Sequence, residues 1–63
     1  MWMVIYMAKS KELIFRVRDI LADAGIAVRV RPINNNEIDG YYELLVPETE
    51  VQIAHEKLIK HGF

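Results

Sequence analysis

The chain has 63 residues, a net charge of −1 and no cysteine. That length allows one small α+β domain, residues 1–63, and a domain of about 60 residues buries only roughly 60% of the surface its unfolded chain exposes. Disulfides and thiolate metal sites are excluded, and the near-neutral charge gives no electrostatic footprint for nucleic acid.

The opening stretch from Met1 to Ala8 is apolar without interruption. A half-buried strand alternates apolar and polar residues, and this one does not. It is too short to span a bilayer and no basic region precedes it, so neither a membrane segment nor a signal peptide is expected. The reading that fits is a first strand covered on both faces. Helices cover one face, which leaves the other to a partner.

Ser10 is placed to cap a helix, with Glu12 in its first turn, where a negative charge suits the helix dipole. Leu13, Ile14, Val17, Ile20, Leu21 and Ala24 recur at three- and four-residue steps and predict one buried stripe, with Phe15 off it and partly exposed. Gly25 is the expected stop, with Ile26 folding back as in a Schellman motif. Residues 26–31 then alternate as a second strand. Val28 and Val30 point to the core, and Arg29 and Arg31 point away. Pro32 ends that strand or sits on a free edge.

The polar run from Asn34 to Gly40 predicts a hairpin loop, and Asn34, Asn35, Asn36 and Asp39 are its candidate contact residues. The third strand is expected over residues 41–46. It places Tyr42, Leu44 and Val46 in the core, and Tyr41, Glu43 and Leu45 on the far face, where Glu43 pairs with Arg29 or Arg31. Pro47 is read as the start of the last helix, whose buried stripe is Val51, Ala54, His55 and Leu58, with Ile59 at its margin. Gly62 ends it.

The order is β-α-β-β-α. It predicts a three-stranded antiparallel sheet, strand order 1-3-2, with both helices on one face: a ferredoxin-like unit lacking the fourth strand, which would lie beside strand one. Met3, Ile5 and Met7 are assigned to the helix side. Trp2, Val4 and Tyr6 then face outward with Arg29, Arg31, Tyr41, Glu43 and Leu45. This is the candidate interface, since an exposed apolar patch rich in Trp, Tyr and Arg is the usual mark of one. Either the open faces pack together or two first strands pair edge to edge, and a homodimer is the expected form. The bland alternative has Trp2 folded over its own sheet.

Catalytic and metal readings are weak. His55 and His61 are six apart on the last helix, roughly 120° off face. His55 reads as a structural histidine. Ser10 and Thr49 read as helix-start residues, and no triad is in sight. Glu37 and Asp39 do not match a calcium loop, which needs six to eight oxygens. No cofactor, catalytic residue or metal site is expected, and an enzyme is the least favoured class.

Three stretches carry a family resemblance: Trp2-Met3-Val4-Ile5-Tyr6, residues 21–26 at the first helix end, and residues 42–48. Together they resemble the small bacterial family assigned to prokaryotic signal transduction, a reduced relative of the PII-like, ferredoxin-like group. The resemblance covers nearly the whole chain, and its motifs are structural. The family name is a label without an established activity; a signalling or adaptor module is the expected function, and the lack of a signal peptide or membrane segment makes the cytoplasm the expected location. PII proteins carry their effector loop between strands two and three, and the corresponding loop here is far too short to act the same way. A small-metabolite sensor, with a cleft between subunits, is the alternative function.

Overall fold

In the computed structural model, which describes residues 1–33 and 40–63, three strands and two helices follow the order β1 (Trp2–Ala8), α1 (Lys11–Asp23), β2 (Arg29–Pro32), β3 (Tyr42–Pro47) and α2 (Val51–Lys60), with a 3-10 turn at Glu48–Glu50 leading into α2. The sheet order is β1-β3-β2 and both pairings are antiparallel. This is the expected ferredoxin-like arrangement, with no fourth strand among the described residues, and β1 and β2 are the edges of the described sheet.

Local chemistry sets the helix ends. The Leu13 N–H donates to Ser10 Oγ at 3.1 Å, which satisfies one of the free donors of the first turn. At the other end Ala24 is the C-cap and Gly25 takes φ +79°, the left-handed conformation glycine reaches without a Cβ penalty. The Ile26 N–H donates to Leu21 O and the Gly25 N–H to Ala22 O, the paired bonds of a Schellman closure. Ile26 is thereby folded into the core, at 5% exposure. The same closure ends α2, where the Phe63 N–H donates to Leu58 O and the Gly62 N–H to Ile59 O.

One core lies on the helix side of the sheet. Ile14, Val17 and Leu21 of α1 meet Leu44 and Val46 of β3 and Ala54 and Leu58 of α2, with Ala8 at the end of β1. Leu13, Phe15 and Ile20 pack against its margin. Both helices draw on this one cluster, so both lie on the same face. Ala24 is exposed, because the chain turns at the C-cap before a further helical turn can cover it.

Three expectations are corrected. The second strand is shorter than residues 26–31: Ile26 is held by the helix closure, and extending the β2–β3 ladder would set Ala27 opposite Pro47, which has no N–H to give. Pro47 is the last residue of β3, not a helix start, and α2 begins only after the 3-10 turn. His55 is exposed rather than part of the buried stripe. α2 packs over β1 and β3 at the rim of a narrow sheet, and that platform takes only the stripe of Val51, Ala54 and Leu58.

The fourth correction concerns β1. Val4 pairs with Leu45 and Tyr6 with Leu44, so two steps along β1 match one along β3. Ile5 is the extra residue of a bulge, which reverses the facing of everything after it. Tyr6 therefore joins the helix side, opposite core residue Leu44, and Met7 turns to the open side opposite Glu43. The expected outward Tyr6 and inward Met7 are thus exchanged, whereas Trp2, Val4, Met3 and Ile5 keep their predicted sides. Tyr6 makes an edge-to-face ring contact with Phe63, centroids 6.1 Å apart.

Candidate interaction surface

The open side of the sheet is built in rows. Residues paired across antiparallel strands share a face, so Val4, Leu45 and Arg29 form one row and Met7, Glu43 and Arg31 the next. Trp2 stands opposite Pro47 beyond the first row. Tyr41, just before β3, continues the same side by the alternation of the strand. Of the expected interface residues, Trp2, Val4, Arg29, Arg31, Tyr41, Glu43 and Leu45 are brought together here, and Tyr6 is not. The candidate loop contacts Asn34, Asn35, Asn36 and Asp39 lie outside the described residues.

Leu45 is the unexpected member. It is only 3% exposed although no helix covers its side of the sheet, and it stands apart from the main core cluster. Its cover comes from the two outer strands. The Arg29 guanidinium lies over the Trp2 ring, 4.4 Å from the centroid. Trp2 is on β1 and Arg29 on β2, so their side chains meet above the intervening β3. A cation over an indole face is attracted by the ring quadrupole. The contact makes a roof, and Leu45 is the residue beneath it.

Most cations on this side have partners. Arg31 sends both Nε and Nη2 to Glu43 Oε1, at 2.7 and 2.6 Å. This is the cross-strand pair expected from the hairpin pattern. Lys9 Nζ lies 5.9 Å from the Tyr41 ring centroid. Sequence reasoning missed Lys9 and Met7 as members of this surface. Both were hidden by the bulge, which reverses the facing of every residue after Ile5. The β1 part of the face leaves apolar surface uncovered: Val4 is 43% and Met7 45% exposed, and Met3 on the helix side is 41% exposed.

No family model, curated protein or solved structure matches this chain.

Elsewhere the surface offers less chemistry. An open groove runs along α1, lined by Glu12, Phe15, Arg16, Asp19, Ile20 and Asp23. All six come from one helix, so among the described residues no second element converges on a ligand there. His55 and His61 are both exposed, and no group of three metal-ligating side chains occurs among the described residues. No helix among the described residues is long and apolar enough to cross a membrane.

Proposed function

We propose that this chain is a small homo-oligomeric interaction module of the signalling or adaptor kind. The observation that supports the reading is the concentration of exposed apolar surface on β1, at the free border of a sheet with helices on one face only. A domain of about 60 residues is marginal alone, and a partner chain is one common support for such domains. The family resemblance of the strand and cap motifs points the same way. The reading places the module in the bacterial cytoplasm, acting by binding rather than by catalysis.

Sedimentation equilibrium over a wide concentration range tests it. The expected result is a reversible dimer whose population rises with concentration. A monomer at every concentration refutes the homo-oligomeric reading and makes a different protein the partner. A thermal-shift screen against nucleotides and amino acids tests the sensor alternative, because a ligand bound to the folded state raises its stability by mass action.

A further inference from the structure

We draw no further inference here: the strongest candidate, the exposed apolar strip through Met3, Val4 and Met7 along the β1 edge of the described sheet, carries nothing because nothing in the structure shows what covers it.

Discussion

Leu45 gives the sharpest test of the open face. Its burial depends on Trp2 and Arg29, not on a helix, so truncation at Leu45 and removal of the roof must be coupled. Leu45→Ala deletes three buried carbons, worth about 2.4 kcal/mol at roughly 0.8 kcal/mol each. The cavity term adds little, because one layer of side chains separates the site from water, so the total lies near the lower end of the ~2–5 kcal/mol range for such changes. A chain of this length has a stability of about 3–9 kcal/mol at ~0.05–0.15 kcal/mol per residue. The loss is large but leaves a folded population. Trp2→Ala removes the cover and the cation–π contact, the latter worth about 0.5–1 kcal/mol at an exposed site. In the double variant much of what Leu45 contributed is already gone, and a coupling of about 1 kcal/mol is expected. Urea unfolding followed by far-ultraviolet circular dichroism, at concentrations where the protein is monomeric, measures all four species. Additivity to within about 0.5 kcal/mol would refute the roof.

Ser10→Ala removes the hydroxyl that accepts from Leu13 N–H and should cost about 1 kcal/mol, read as a fall in melting temperature of about 4–8 °C. At Gly25 a Cβ would meet nothing within 4 Å, so the cost of Gly25→Ala is the left-handed backbone alone, about 1–2 kcal/mol, and Gly25→Asn should recover part of it in a thermal melt. Arg31→Ala should destabilise by only about 0.2–1 kcal/mol, since Arg31 is 57% exposed, and the difference from the parent should shrink as salt is added.

Elements whose signal is local were the most legible. The Ser10 cap, the Gly25 stop and the alternation that sends Arg29 and Arg31 away from the core each follow from one or two residues and a short-range rule. Strand order 1-3-2 followed from the order of the elements, the hairpin loop and the right-handed crossover after strand one. Facing in β1 was another matter. Alternation tells which side a residue takes only where the two sides differ in polarity, and from Trp2 to Ala8 they do not. Nothing in that run marks Ile5 as the extra residue, so Tyr6 and Met7 were assigned to the wrong sides. His55 was misread because periodicity gives the direction of a stripe but not its width. A three-stranded sheet offers α2 a narrow platform. Leu45 was assigned to the correct side, but its burial depends on two long side chains meeting across a strand, which no spacing rule encodes.

The roof over Leu45 also changes where association should be sought. An open sheet face with Trp2, Arg29 and Leu45 all bare would be the stickiest part of the molecule. Here the indole and guanidinium cover each other and Leu45, and Arg31 is held by Glu43. On the sheet, exposed apolar surface runs along β1 through Met3, Val4 and Met7, on both sides of the strand, while α2 exposes Ile53 and Ile59. That distribution favours the edge over the face. It also bounds the strength of the contact. A standard interface takes about 800 Å² from each partner, nearly a fifth of this chain's accessible surface of 4438 Å². A seven-residue strand is only about 23 Å long, and a strip of that length and about one sheet thickness, ~10 Å, covers far less than that. Pairing through β1 alone would therefore belong with weak, concentration-dependent contacts.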